Sequence, residues 1–167
     1  SSTEGTVNFY YDNIDPDNAI TAVDNNWSQD NVWQTVSDAN FTWLWMSDTD
    51  SGIKEYNYYW GTNVGSNCIT GTTITNGFNP WAIQSNSNYY LKVQTEDNAG
   101  NISTCDLLYT LKYTQSSDDP TLLKQEAFGQ NLVFGTSTQD TTPELFFTLT
   151  DPDVTDTIGY TVEISNT

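Results

Sequence analysis

The sequence contains no histidine and no arginine, and lysine accounts for only four of its 167 residues. Without histidine, the chain lacks the usual base at neutral pH and the commonest ligand of catalytic zinc. Ser-His-Asp and Cys-His catalysis therefore cannot be assembled within it. The scarcity of positive charge argues against binding to nucleic acid, because such binding depends on lysine and arginine that neutralise phosphates.

Long apolar runs are also missing, so the sequence predicts no signal peptide, no membrane-spanning segment and no direct membrane insertion. We expect the chain to be a mature product or a fragment of a longer protein.

Acidic residues dominate what is present: 22 Asp and Glu give a net charge of −18. Such a surface attracts cations, and calcium is the hard cation that prefers oxygen ligands alone. Paired carboxylates for glycoside hydrolysis remain an alternative, although most aspartates lie in turn-like sequence. Six tryptophans and ten tyrosines argue for a packed core.

The chain has two cysteines, Cys68 and Cys105. A single pair in an acidic chain rich in Asn and Thr predicts a disulfide and therefore a secreted, extracellular protein. The alternative is a pair of buried thiols.

Alternation of apolar and polar residues recurs along the chain, and no 12-residue window shows a helical period. Residues 12–31 are predicted to form a long acidic loop, in which A-I-T-A-V at 19–23 is long enough for one helical turn. Residues 61–88 predict only short strands. About seven strands separated by turns indicate a two-sheet sandwich; the main ones are predicted at 6–11, 32–36, 40–46, 53–60, 89–96 and 104–113.

The pattern divides the chain into a sandwich at 1–113, a polar linker at 114–121 and the first strands of a second, incomplete sandwich at 122–167. This last segment is too short for a sandwich of roughly 90–100 residues. Either it is cut from a longer protein or a neighbouring copy completes it by adding a strand. Residues 4–12 are the natural donor strand, and the acceptor strands are predicted at 131–136, 144–150 and 158–164.

Three motifs resemble a repeat of large bacterial surface proteins, of the fibronectin-type-III or immunoglobulin-like class: N-F-T-W at 40–43, D-T-D-S-G-I-K-E-Y-N-Y-Y-W-G-T at 48–62 and Y-Y-L-K-V-Q-T-E-D-N-A-G-N-I-S at 89–103. The resemblance implies an all-β sandwich with one complete module followed by a partial one. It also implies a tyrosine corner, in which the Tyr89 hydroxyl bonds back to the main chain. Modules of this class serve as spacers, adhesins and enzyme appendages.

The acidic turns have two interpretations. In D-T-D-S-G, Asp48 and Asp50 can accept backbone hydrogen bonds while Gly52 supplies a positive φ; Gly100 has the same place in the D-N-A-G-N turn, where Asp97 is predicted to be structural. Alternatively, alternate aspartates can ligate calcium. The three candidate calcium sites, of which the last is the strongest, are Asp12, Asp15 and Asp17; Asp48 and Asp50; and Asp151, Asp153 and Asp156.

Aromatic residues alternate along two predicted strands, with Trp43 and Trp45 on one and Tyr58 and Trp60 on the other. This spacing favours core packing. A partner interface and a sugar-stacking platform are the alternatives.

Together these features predict a non-catalytic structural or adhesive module of a secreted or cell-surface repeat protein, including the subunit of a filament or surface layer assembled by strand addition. Its predicted partners are copies of itself, neighbouring repeat modules and cell-surface glycans. The alternative is a carbohydrate-binding or spacer module of a secreted polysaccharide-degrading enzyme.

Overall fold

The computed structural model describes residues 11–26, 28–81, 83–133 and 139–163. The chain divides into two compact units, unit 1 at Ser1–Thr114 and unit 2 at Gln115–Thr167. Across the described ranges both units consist of strands and loops without helix, which confirms the all-β prediction. No helix there is long and apolar enough to cross a membrane.

Unit 1 contains eight strands within its described residues. In chain order they are β1 (Ala22–Asp24), β2 (Trp33–Gln34), β3 (Phe41–Trp43), β4 (Ile53–Gly61), β5 (Gly71–Thr73), β6 (Gly77–Phe78), β7 (Ser87–Asp97) and β8 (Asp106–Tyr113).

These strands form two sheets, one in the order β1-β3-β6 and one in the order β2-β8-β7-β4-β5. All neighbours are antiparallel except β2 and β8, which run parallel. The core is made of buried side chains from both sheets, among them Phe41 and Trp43 of β3 and Tyr56, Leu91 and Leu111 of the larger sheet. The alternation of β7, which buries every second residue from Tyr89 to Asp97, produces this one-sided burial.

Three details differ from the predicted strands. Ala22–Asp24 forms β1 instead of part of a helical turn, because it pairs with β3. Strand β3 ends at Trp43, whose partner Ala22 is the first residue of β1, so Trp45 lies beyond the ladder and is 65% exposed. The strand predicted at 6–11 lies almost wholly outside the described residues, and Tyr11, its last residue, is not in a strand.

Unit 2 contains β9 (Thr121–Ala127), β10 (Gln130–Asn131) and β11 (Glu144–Thr148), which form a three-stranded sheet in the order β10-β9-β11. The sequence did not predict its central strand, β9, because T-L-L-K-Q-E-A is rich in good helix formers.

The strand predicted at 131–136 overlaps β10 only at Asn131, and 134–136 lie outside the described residues. The described part of the strand predicted at 158–164 is not a strand. Instead of pairing with the sheet, it contacts it through the Phe147 and Tyr160 rings, 5.3 Å apart.

Candidate functional site

Three aspartates from separate loops meet at one end of unit 1, and we call this group the acidic junction. Asp12 precedes β1, Asp48 lies in the turn before β4, and Asp97 is the last residue of β7. Each contributes a carboxylate oxygen, and these oxygens lie within 4.8 Å of one another. The antiparallel pairing of β4 with β7, in which Ile53 faces Asp97, brings the two later loops to the same end.

Asp48 organises the D-T-D-S-G turn. Its Oδ2 accepts backbone N–H groups from Asp50 at 3.2 Å, Ser51 at 2.8 Å and Gly52 at 2.7 Å. Gly52 has φ +78°, a backbone conformation that glycine adopts without the steric cost of a Cβ. The N–H groups of Gly52, Ser51 and Asp50 hold the pKa of Asp48 below its ordinary value. The turn is therefore built around an ionised carboxylate.

Asp97 is fully buried. Its Oδ1 accepts the N–H groups of Ala99 and Asn101, both at 2.8 Å, and its Oδ2 accepts the Asn101 side-chain amide at 2.8 Å. Burial alone raises the pKa of Asp97, but the hydrogen bonds from Asn101, Gly100 and Ala99 outweigh it and keep the pKa below its ordinary value. Asp97 is thus a buried carboxylate that stays charged.

Asp12 completes the junction. Its Oδ1 accepts the Ile14 N–H at 2.9 Å, whereas its Oδ2 is buried and has no hydrogen-bond partner among the described residues. Three carboxylates so close together repel one another unless a cation or a proton intervenes. The donor atoms are all oxygen, which fits a hard cation such as calcium and does not fit a metal that prefers nitrogen or sulfur.

A second acidic group lies in unit 2, where Asp151, Asp153 and Asp156 each bring a carboxylate oxygen within 4.8 Å of the others. Asp153 is buried, its backbone N–H donates to Asp151 Oδ1 at 2.8 Å, and its Oδ2 accepts the Gln115 N–H at 2.7 Å. The group therefore ties the segment before β9 to the loop after β11. Its all-oxygen donor set also fits calcium.

Asp15, Asp17 and Asp50 belong to neither acidic group. Asp17 is bound to Ser47 instead, through its backbone N–H at 3.1 Å and its carboxylate. The sequence pattern predicted a group of Asp12 with its near neighbours Asp15 and Asp17, whereas the fold places it beside residues 36 and 85 positions further on.

The disulfide prediction is confirmed. Cys68 and Cys105 are joined, with their Cα atoms 5.8 Å apart across 37 positions of sequence. The bond ties the loop after β4 to the residue before β8.

Aromatic rings predicted to be structural lie in or against the core. Trp43 packs edge-on against Tyr56 at 5.5 Å, and Trp60 stacks on Tyr89 at 5.2 Å. The Tyr89 hydroxyl accepts the Gln84 backbone N–H at 2.9 Å. At the opposite end of β7, Gly100 adopts φ +93° in the turn after the strand.

An apolar groove of about 590 Å³ runs along the sheet of unit 2, and we call it the unit 2 groove. It is exposed over much of its length: Leu123 is 72% and Val133 74% exposed. Its apolar lining is Leu123, Leu132, Val133, Leu145, Phe146, Phe147, Leu149, Tyr160 and Val162.

A smaller pocket of about 240 Å³ in unit 2 is lined by Glu126, Asp140 and Glu144. Backbone N–H groups of Thr142 and Phe128 lower the pKa of Asp140. This favours the ionised form, which is the opposite of what a general acid requires at neutral pH.

No protein-family model, curated protein or solved structure matches the chain.

Proposed function

We propose that the chain is a non-catalytic structural or adhesive module of a secreted or cell-surface protein, with immunoglobulin-like sandwiches in series that assemble by strand addition between copies. The observation that carries the proposal is the unit 2 groove, an uncovered apolar surface beside a sheet edge.

The strand order of unit 1 supports an immunoglobulin-like module. Immunoglobulin domains place strands A, B and E in one sheet and C, F and G in the other. Here β1, β3 and β6 correspond to A, B and E, while β4, β7 and β8 are adjacent in the second sheet, as C, F and G are. The hydrogen bond from the Gln84 N–H to the Tyr89 hydroxyl, near the start of β7, has the geometry of a tyrosine corner.

The Cys68–Cys105 disulfide supports an extracellular location, because such bonds persist in oxidising compartments.

The unit 2 groove supports assembly because its apolar side chains lack cover. Leu123 is 72%, Leu145 47% and Val162 48% exposed. Fully burying one such side chain contributes about 1.5–3 kcal/mol, so an inserted strand that covers several of them gains substantial free energy. Strand β11 pairs only with β9 in the described sheet, and an unpaired edge accepts a further strand through its backbone groups.

The proposed occupant is the segment 4–11 of a second copy. Val7, Phe9 and Tyr11 alternate with Thr6, Asn8 and Tyr10 along it, which gives a strand with one strongly apolar face. Eight extended residues span about 26 Å, which exceeds the length of the five-residue β11. In the groove, the Lys124 ammonium lies 4.5 Å over the Phe146 ring and donates to Glu126 Oε1 at 2.7 Å, and Glu4 of the added strand would bring a second carboxylate to it.

Calcium belongs to the same proposal. A chain of net charge −18 repels its own copies, and cations bound at the acidic groups reduce that repulsion.

The test compares two neighbouring leucines of β9. Leu123 lines the groove, whereas Leu122 lies outside it and is equally exposed at 77%. In calcium-containing buffer, wild type is expected to form oligomers in sedimentation velocity and filaments or sheets in negative-stain electron microscopy. Leu123→Asp is expected to remain monomeric, and Leu122→Asp to assemble like wild type.

A synthetic peptide of residues 3–12 provides a second test of strand addition. It is expected to bind the Leu122→Asp variant, to cap its assembly and to have no affinity for Leu123→Asp. A wild-type protein that is monomeric at its solubility limit and ignores the peptide would show that strand addition is wrong.

A further inference from the structure

Charge is absent from one long stretch of this otherwise acidic chain. Residues 56–91 contain no Asp, Glu, Lys or Arg, whereas a segment of that length carries about six at the chain's average of 16%. Asn, Thr, Ser, Gly and aromatic residues take their place. The stretch runs from within β4 to within β7 and includes both β5 and β6, so a contiguous part of unit 1 presents neutral polar groups to solvent.

Within this stretch a cleft of about 190 Å³ is lined by Tyr58, Trp60, Thr70, Phe78 and Trp81, and we call it the aromatic cleft. The cleft lies near one edge of each sheet. Strand β5 is the edge strand of the larger sheet, and β6 is an edge strand of the smaller one. Four of its five lining residues are aromatic.

The walls of the aromatic cleft are fixed by ring contacts. Phe78 lies 4.5 Å from Tyr58 and 5.8 Å from Trp60, and Trp60 is itself stacked on Tyr89. The Thr70 hydroxyl accepts the Trp60 backbone N–H at 3.3 Å, which holds this threonine at the rim. A ligand therefore meets Tyr58, Trp60 and Phe78 in positions that are already fixed, and little entropy of these side chains is lost on binding.

Unlike Tyr58, Trp60 and Phe78, Trp81 has a largely exposed side chain. It is 76% exposed although it lines the cleft. A large indole surface left in water beside a preformed cleft is suited to stacking against a flat apolar face. The volume lies below the roughly 300–1,000 Å³ of sites for drug-sized ligands, so the cleft suits one ring of a longer molecule.

We propose that the aromatic cleft binds one pyranose ring of a neutral polysaccharide, with Trp81 as the stacking platform. The C–H face of a sugar ring packs against an aromatic ring, and its hydroxyls pair with uncharged groups such as the Thr70 hydroxyl. The neutral stretch and the net charge of −18 select against anionic glycans, which the rest of the surface repels. This function is additional to strand addition and does not depend on it.

The test is affinity electrophoresis of the full chain in gels that contain cellulose derivatives, β-1,3-glucan, mannan, galactan or soluble chitin, with alginate and polygalacturonate as anionic comparators. Wild type is expected to be retarded by at least one neutral polymer and by neither anionic polymer. Trp81→Ala is expected to weaken binding about tenfold or more, the loss expected from removing one stacked ring.

Trp33→Ala is the matched control, because Trp33 is also exposed, at 50%, but lies in β2, at the opposite edge of the five-stranded sheet. It is expected to bind within about twofold of wild type, as an independent site does. Leu123→Asp is expected to retain glycan binding whether or not it assembles, which separates this proposal from strand addition.

Three results would overturn the proposal: no retardation by any neutral polymer, equal retardation of wild type and Trp81→Ala, or retardation by the anionic polymers alone. A proline-rich peptide that binds through Trp81 while every glycan fails would assign the cleft to peptides instead.

Discussion

At the scale of single residues, Asp97 shows how the fold gives a turn residue a wider role. The D-N-A-G-N sequence identified it as structural, and the hydrogen bonds from Ala99 and Asn101 confirm that it organises the turn after β7. The same carboxylate also lies beside Asp12 and Asp48. The signal that would have found this is strand pairing: the turn before β4 and the turn after β7 must share an end once the two strands are antiparallel.

The acidic junction predicts a response to calcium. Millimolar calcium is expected to raise the Tm of unit 1 by about 5–10 °C relative to EDTA, because an ion that binds only the folded state stabilises it by mass action. Tryptophan fluorescence isolates this unit, since all six tryptophans lie before residue 114.

Asp12→Asn is expected to abolish most of this calcium shift, and Asp15→Asn, an exposed neighbour outside the junction, to preserve it. Superimposable melts in calcium and in EDTA would remove calcium from the proposal.

Tyr89 predicts a smaller, local effect. Tyr89→Phe removes the bond from the Gln84 N–H and keeps the ring stacked on Trp60, so unit 1 is expected to lose about 1 kcal/mol of unfolding free energy. Urea denaturation followed by tryptophan fluorescence measures this. Tyr90→Phe, the adjacent half-buried tyrosine, is expected to change it by less than about 0.5 kcal/mol; equal losses in both variants would show that the bond is not the cause.

At the scale of elements, strands whose apolar and polar residues alternate were predictable from the sequence. Strands that form only because a neighbouring strand pairs with them were not. The predictions at 53–60, 89–96 and 104–113 match β4, β7 and β8 closely, because alternate residues of each strand are buried in the core or pack against it. By contrast, β1 and β9 consist of residues whose local preference does not favour a strand, and they form because a partner strand is present. The segment at 158–163 has alternating residues but no strand, which shows that the pattern alone is insufficient.

The disulfide predicts the largest effect among the loops. Replacing both Cys68 and Cys105 by alanine frees a loop of 37 positions and is expected to cost about 3–4 kcal/mol, chiefly through the entropy of the unfolded chain. The Tm of unit 1 falls by about 10–20 °C in a fluorescence melt. Dithiothreitol is expected to lower the Tm of wild type and to leave the double variant unchanged; a wild-type Tm insensitive to the reductant would contradict this.

At the scale of the whole molecule, the two units differ in how much they bury. The largest fully buried side chains, which include Phe41, Tyr56 and Leu111, all belong to unit 1. Among the described residues of unit 2, only Ala127 and Asp153 are buried. The sequence predicted this inequality from the length of the second segment. It could not predict the groove, whose shape depends on the pairing of β9.

Unequal burial predicts unequal hydrogen exchange. In the monomeric Leu123→Asp variant, amides of β7 and β8 are expected to exchange at least about a hundredfold more slowly than those of β9 and β11. In assembled wild type, β11 is expected to gain protection, because an added strand pairs with its edge. Mass spectrometry of peptic peptides measures both, and comparable exchange of the two units in the monomer would contradict the weaker packing of unit 2.

The positions of the four lysines have a consequence for digestion by trypsin-like proteases. Each lies inside a strand: Lys54 in β4, Lys92 in β7, Lys112 in β8 and Lys124 in β9. The chain has no arginine, so a trypsin-like protease finds its only cleavage sites within strands of the sheets, which must open before they enter a protease active site. Three of these sites are in the well-packed unit 1. Cleavage after Lys124 is therefore expected to occur first. A strand that fills the unit 2 groove would shield this peptide bond, so that assembly itself would make the protein resistant to digestion.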